Sequence, residues 1–426
     1  MNARSQAAGQ GAPGTGIFYG WFVVGAVLVV MTVTAGLGFY NLSVYLKAFI
    51  AERGFSVSAT SGATACFFIS SGITGLGVAS LIEKYDPRWV ITIGAMLSAI
   101  ATFGAGYVTE LWQLYAFYVL FGAGYAGAAL IPGTTLVARW FVRKRSIALS
   151  VASTGLSLGG ILLTPLAANM IEHMGLSGAS PWLAVMFLLG VIPVSWFFIR
   201  SSPHAMGLGP DGDPIMRDKS GAPLPADGID FEMAIRSRFF VFTAGAFIFA
   251  MMAQVGVIAH LFRLVAVRSG SNDTAALAVA TMAMASIVGR LVGGWGLVYI
   301  SSRLFVFGLM LVQGVALTLY ASAEGTPALL ATTVIFGVTV GNLLMMQPLL
   351  IAEAFGLKAY GRIYSFNQLL MTLGVATGPA ALGFFYEWLD GYDVAFLVMA
   401  AASGLAFLLA VAAGPARALI ESESHT

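Results

Sequence analysis

Charge is what this chain has least of. Only 9% of its 426 residues are Asp, Glu, Lys or Arg, while 58% are hydrophobic; a soluble domain carries roughly 25% charged residues. A surface so poor in charge is not kept in water, and long apolar runs recur from end to end. The chain therefore reads as a multi-pass, all-α membrane protein. The net charge of +2 gives no support to a nucleic-acid partner. One cysteine, Cys66, excludes a disulfide framework and a zinc cluster, and in its apolar run it reads as a small buried hydrophobe. No nucleophile–base pair or metal-ligand spacing appears, so neither an enzyme nor a cofactor is expected. The run Gly122–Gly127 satisfies Gly-x-Gly-x-x-Gly, but it lies inside an apolar span, and a dinucleotide site needs a preceding strand. It reads as close helix packing.

Acidic residues are scarcest where they would matter most. Twelve spans of about 20 or more residues are expected, near 18–50, 57–82, 89–108, 112–138, 146–172, 181–200, 238–266, 274–300, 303–322, 327–354, 361–388 and 392–416. None has Asp or Glu in its middle third; Glu353 and Glu387 fall near span ends. Residues 1–17 lack a signal-peptide pattern and read as a disordered tail, and 417–426 as a second tail. Between the six-helix halves, 18–200 and 238–416, the segment 201–237 turns polar and proline-rich, a flexible linker with a short amphipathic helix near Phe231–Ile235.

Lys and Arg fix the expected orientation. With the N-terminus inside, inner segments hold sixteen of the 21, and outer segments hold only Lys47, Arg53, Arg263 and Arg268; the remaining one is Arg290. Both termini and the linker are thus expected in the cytoplasm, and the membrane to be the plasma (bacterial inner) membrane. A constant offset of 214 residues pairs Gly75 with Gly289, Gly94 with Gly308, Gly127 with Gly341 and Gly160 with Gly374. That register suggests two parallel six-helix halves related by an axis normal to the bilayer.

Arg290 stands apart, within Met282-Ala-Met-Ala-Ser-Ile-Val-Gly-Arg-Leu-Val-Gly-Gly-Trp295. In the span 274–300 it lies about three residues past the midpoint, roughly 4–5 Å at helical rise. An arginine at that depth is costly, and by default it faces a protein cavity and serves function. Its fork suits a carboxylate. The bland alternative is an arginine that snorkels to the headgroups. Tyr40, Asn41, Tyr125, Asn342, Gln347, Asn367 and Gln368 are polar groups within spans that face protein rather than lipid. Tyr40, Tyr125, Asn342 and Asn367 are taken as substrate-binding candidates beside Arg290. His260, with a reference pKa near 6.5, is a candidate for proton coupling, against the reading of a hydrogen-bonded wall residue.

These features resemble the major facilitator superfamily. Leu81-Ile-Glu-Lys-Tyr-Asp-Pro-Arg88 looks like a degenerate form of its signature between the second and third helices. Tyr19-Gly-Trp21, Gly122-Ala-Gly-Tyr-Ala-Gly127 through Pro132, Arg139-Trp-Phe-Val-Arg-Lys-Arg145, His260-Leu-Phe and Gly289-Arg-Leu-Val-Gly293 resemble the branch of monocarboxylate transporters and oxalate–formate antiporters. The resemblance implies a major facilitator fold, rocker-switch alternating access, and Arg290 as the carboxylate anchor. It also implies tyrosine and amide groups of the fourth and eleventh helices at the cavity, with Tyr125 and Asn367 preferred. Proton-linked members often carry an aspartate one turn before this arginine, where Ser286 stands here; the oxalate exchangers carry a lysine on the eleventh helix, and Ile363–Met371 has none. The expected cargo is a small organic anion, a lactate- or pyruvate-like monocarboxylate, with proton linkage left open. The partners are then that anion, a co-transported proton in the linked case, and the lipid bilayer, and the functional unit a monomer. An oxalate/formate-type exchanger is the alternative, and a ligand-sensing membrane protein a more distant one. Gating of the cytoplasmic side is assigned to Glu83, Lys84, Arg88, Arg143, Lys144, Arg145, Glu353, Lys358 and Arg362, the basic loops 139–145 and 358–362 locking against Glu83, Asp86 and Glu353.

Overall fold

The computed structural model describes residues 17–215 and 228–415. Arg4, Arg217, Lys219, Arg417 and both expected terminal tails, apart from Ile17, lie outside the described residues. The molecule is all-helical, as the composition demands: in hydrocarbon every backbone N–H and C=O must be satisfied within the chain. Spans one to four are Gly20–Arg53, Val57–Lys84, Pro87–Ala105 and Leu111–Trp140. Spans five and six run as one helical line, Arg145–Phe198, broken at Gly175 (φ 69°, ψ 170°). Spans seven to twelve are Arg238–Ser269, Asn272–Gly296, Ser302–Ser322, Gly325–Phe355, Tyr360–Trp388 and Tyr392–Ala412. The expected linker helix is Phe231–Arg236.

Polar side chains mark the ends of these helices. The Ser56, Ser237 and Ser271 hydroxyls accept from the amides of Ala59, Phe240 and Thr274, and Asp86 accepts from Arg88 N. These caps satisfy donors that the first helical turn leaves free. Glu52 accepts the Leu176 amide at 2.9 Å through both carboxylate oxygens, tying the start of span six to the end of span one just where Gly175 breaks the helix.

The two halves repeat one packing scheme. Spans one and five, two and four, three and four, and three and six pack together in the first half; seven and eleven, eight and ten, nine and ten, and nine and twelve do so in the second. The register is not the 214 expected from glycine matches. A Cβ on Gly122 would strike the Phe67 carbonyl as one on Gly337 would strike Met282, an offset of 215 on both members. Gly159 meets the Thr32 carbonyl as Gly378 meets Met252, an offset of 219 on one span and 220 on the other. Loops of unequal length shift the register between helices, and abundant glycine supplies chance matches. Under the packing register, the counterpart of Arg290 is Gly75.

Between halves, span two packs on span eleven and span five on span eight, with span ten also touching span five. Among the described residues, three hydrogen bonds join the halves directly: Ser150 Oγ to Met345 Sδ (2.6 Å), Ser157 Oγ with Ser286 Oγ (3.5 Å), and the Arg290 guanidinium to the Ser153 carbonyl. All lie from mid-depth toward the end that bears the linker. That end is also sealed by an apolar cluster drawing Ile82 and Ala138 from the first half and Phe355, Tyr360 and Tyr364 from the second. The far end of the second half keeps a cluster of its own residues only. Cys66, read as buried, is half-buried on span two, whose stretch is largely uncovered by protein.

Candidate functional site

Span eight stops at Gly296, short of the expected end, because residues 297–299 form a turn. Arg290 therefore lies six residues past the helix midpoint, about 9 Å at helical rise, deeper toward the linker end than expected. That position would favour snorkelling, yet the side chain does not snorkel. It is 1% exposed. Its Nε donates to the Gly341 carbonyl of span ten (2.9 Å) and Nη1 to the Ser153 carbonyl of span five. Among the described residues no carboxylate lies within 4 Å of it, and Nη2 has no acceptor.

Small residues make this approach geometrically available. An added Cβ at Gly341 would collide with the Ser286 carbonyl, and one at Gly294 with the Ser150 hydroxyl, so spans ten and five reach span eight only as glycine contacts. Asn342 then fixes the register: Nδ2 donates to the Gly289 (2.8 Å) and Val338 (2.9 Å) carbonyls. Asn342 is thus a helix-joining residue and is absent from the cavity wall, against expectation; its NH2 group is shared between the span that carries Arg290 and its own, while its side-chain carbonyl is buried without a donor.

A cavity of about 160 Å³ lies between the halves. Arg290 itself is not on its wall; Leu156, one turn from the Ser153 that accepts from the guanidinium, and Val340, beside Gly341, line it. Tyr40 and Tyr125 stand on its wall, and the Tyr40 phenol is within electrostatic reach of the guanidinium. Span one reaches the cavity through a π-helical turn, Ala35–Phe39, immediately before Tyr40. Such an inserted residue re-aims the side chains that follow it. The turn is held where Thr164 Oγ donates to the Gly36 carbonyl (3.0 Å) and Gly36 packs on Gly159.

Two expectations move by one helical step or more. Asn367 is 2% exposed and absent from the wall, and its neighbour Gln368 lines it instead; one residue turns a helix by about 100°, and an almost uniformly apolar span carries no amphipathic signal to choose between them. His260 is also off the wall. Its ring nitrogens face the Tyr392 hydroxyl (3.3 Å) and the Pro379 carbonyl (3.2 Å), so both are occupied within the second half. Gln254, which sequence reasoning did not select, lines the cavity and is 1% exposed. A lone glutamine in Met251-Met-Ala-Gln-Val255 was the available signal.

The gate differs from its expected pairing. Asp86 is held by Arg88 of its own loop at 2.6 Å, and Glu353 by the Ser302 hydroxyl at 2.8 Å. Burial alone would raise the Asp86 carboxyl, but the Arg88 guanidinium and backbone amide hold it below the usual carboxylate range. Glu83 sits near Arg139, Arg362 and Lys84 without a salt bridge. Arg145 turns back onto the Phe141 and Ala138 carbonyls. The basic loops are engaged instead by linker carboxylates. Asp211 accepts the amides of Val142 (2.9 Å), Arg143 (2.8 Å) and Lys144 (3.3 Å), Asp213 pairs with Arg143 (2.7 Å), and Asp230 pairs with Lys358 (3.1 Å). Ile229 N donates to the Phe355 carbonyl, and Arg362 lies over the Phe231 ring. The linker, read as a flexible spacer, thus straps equivalent loops of the two halves; loop identity is invisible to composition.

A bundle of two pseudo-symmetric six-helix halves, with a cavity between them and one end sealed, has the architecture of an alternating-access membrane transporter. The chain belongs to the Major Facilitator Superfamily, whose family description it matches over residues 28–341 and 268–422. It is 28% identical to monocarboxylate transporter 13 of Bos taurus over 349 residues, 78% of this chain and 73% of that protein. It is 25% identical to the oxalate:formate antiporter of Oxalobacter formigenes over 404 residues, 92% of this chain and 90% of that one. Among solved structures it resembles the transporter FucP in the outward conformation, with a TM-score of 0.71 at 16% identity, covering 93% of this chain and 100% of that one. That last likeness concerns the fold.

Proposed function

We propose that the protein is a secondary transporter that moves a small monocarboxylate, its carboxylate held by Arg290, as the two halves rock about that residue. The observation that carries this reading is a guanidinium 1% exposed, bonded only to carbonyls, one from each half, with no acidic partner. Burying a charge without an opposite charge is expensive. The site therefore favours an anion over a neutral or cationic cargo.

Magnitudes favour a carboxylate over the Ser153 carbonyl. A charge-assisted hydrogen bond is worth about 1.5–3 kcal/mol, whereas two unit charges about 4 Å apart attract by about 4 kcal/mol at an effective dielectric near 20. A carboxylate arriving in the cavity competes for the fork, replaces the bond that ties span eight to span five, and neutralises the buried charge. The halves are then free to part at the linker end. Linker loops Asp211–Arg143 and Asp230–Lys358 hold that end until then. We place the linker end in the cytoplasm, since twelve of the 17 Lys and Arg among the described residues lie in segments on that side.

Exchange of the oxalate–formate type is the second reading, favoured by the relative that covers 92% of this chain. Against it, the eleventh span offers the cavity Gln368 and no second cation. Uptake of labelled lactate, pyruvate and acetate into proteoliposomes, with and without an inward proton gradient, tests the proposal. Net uptake of a monocarboxylate is the expected result. Exchange of oxalate alone, with no net monocarboxylate uptake, would replace it by the second reading.

A further inference from the structure

The cavity is roomier and more apolar than a three-carbon acid requires. Its volume of about 160 Å³ is an order of magnitude above the roughly 10–15 Å³ that admits a single water. Most of its wall is apolar, Phe39, Phe67, Phe68, Met251, Leu344 and Met371 among the larger side chains. Such a surface gains by meeting an apolar body, in proportion to the area covered.

Two amides interrupt that surface, and neither is satisfied. Gln254 on span seven and Gln368 on span eleven both line the cavity, and the side-chain carbonyl of each is enclosed without a hydrogen-bond donor. The Gln254 amide nitrogen reaches only the Met251 sulfur at 3.9 Å. A buried amide left unpaired is unfavourable, so the site keeps these groups at a penalty that a bound molecule can remove. Beside Gln368, a recess of about 50 Å³ continues between the halves past Ser71, Tyr125, Ser365 and Thr372. Spans seven and eleven pack on each other, whereas Arg290 lies on span eight between spans five and ten. The polar groups therefore form a second set, apart from the guanidinium. An amide presents a donor at one end and an acceptor at the other and can turn over, and a hydroxyl matches it either way.

We propose that the preferred cargo is a monocarboxylate with an aryl-sized apolar body and a hydroxyl remote from the carboxylate, and that Gln254 and Gln368 are the residues that select the hydroxyl. This rests on Arg290 as the carboxylate anchor. The test compares uptake of labelled 4-hydroxyphenylacetate and phenylacetate into proteoliposomes, with unlabelled lactate as competitor. The wild-type protein is expected to show a KM about tenfold lower for the hydroxylated acid, the worth of one good hydrogen bond, and lactate is expected to compete more weakly than either. In the Gln254→Leu/Gln368→Leu double variant the ratio of the two KM values falls to about one; Gln254→Met and Gln368→Met singly reduce it. A ratio that stays near ten in the double variant would overturn the assignment of the two glutamines. Lactate outcompeting both aryl acids on the wild-type protein would overturn the cargo class, and needs no variant to fold. If lactate is carried and the aryl acids are not, the Arg290 reading stands and this proposal falls; if no carboxylate is carried, both fall.

Discussion

Spans two and eight occupy equivalent places in the two halves, yet they carry different chemistry. Each packs on the fourth helix of its own half through the same glycine contact, Gly122 on Phe67 and Gly337 on Met282. Each also faces the other half, span two against span eleven and span eight against span five. At the matching level span two has Gly75, where an added Cβ would meet only the tip of Ile131, and span eight has Arg290, bonded across the interface. The duplicated frame encloses the cavity. One side chain in one copy adds a buried charge, so the chemistry is lopsided within a near-symmetric scaffold.

The contrast breaks most strongly at the charge. Arg290→Ala is expected to lower monocarboxylate uptake at least about a hundredfold, the scale of a roughly 3 kcal/mol loss. Arg290→Lys keeps the charge but loses the fork and should fall between. Gly75→Ala, the same level in the other half, should leave uptake near wild type.

The shared frame is tested next. Gly122→Ala and Gly337→Ala each push a methyl into a backbone carbonyl, and overpacking of that kind costs about 1–3 kcal/mol. Equal drops in thermal unfolding midpoint for the two variants would support equivalence of the two contacts; a drop in one alone would count against it.

Smaller effects belong to the straps. Asp211→Ala removes the acceptor of three loop amides and should open the linker end. In a Cys66→Ser background, a cysteine introduced by Tyr360→Cys should then react several-fold faster with a polar maleimide. Smallest is the Asp86–Arg88 pair, partly exposed and worth below about 1 kcal/mol. The Asp86 pKa is lowered in the folded state, so its contribution is present above the ordinary carboxylate range near pH 4 and is lost as pH falls through the lowered value. Asp86→Asn should flatten the stability profile below about pH 4 by that small amount.

Much of this frame was legible in the sequence because lipid imposes length and apolarity on every span. The twelve segments, the linker and its short helix, and the buried arginine all follow from counting. What escaped were the features that depend on rotation about a helix axis. Asn367 and Gln368 are adjacent, and only the packing of span eleven decides which meets the cavity. The π-helical turn before Tyr40 and the 215-residue register likewise come from contacts between helices rather than from any one stretch. The linker aspartates escaped for another reason: polar linkers look alike in composition, and only three-dimensional proximity to loops 141–144 and 356–359 gives Asp211, Asp213 and Asp230 their partners.

The central claim is that the negative charge of the cargo is met by Arg290. Its most direct test is equilibrium binding of a carried monocarboxylate and of its neutral amide to purified protein, wild type and Arg290→Ala, with thermal unfolding as the control for folding. The account predicts that the wild type binds the acid and discriminates against the amide, and that Arg290→Ala loses at least about a hundredfold in affinity for the acid, leaving the two ligands alike. Binding of the acid by folded Arg290→Ala at wild-type affinity would contradict it.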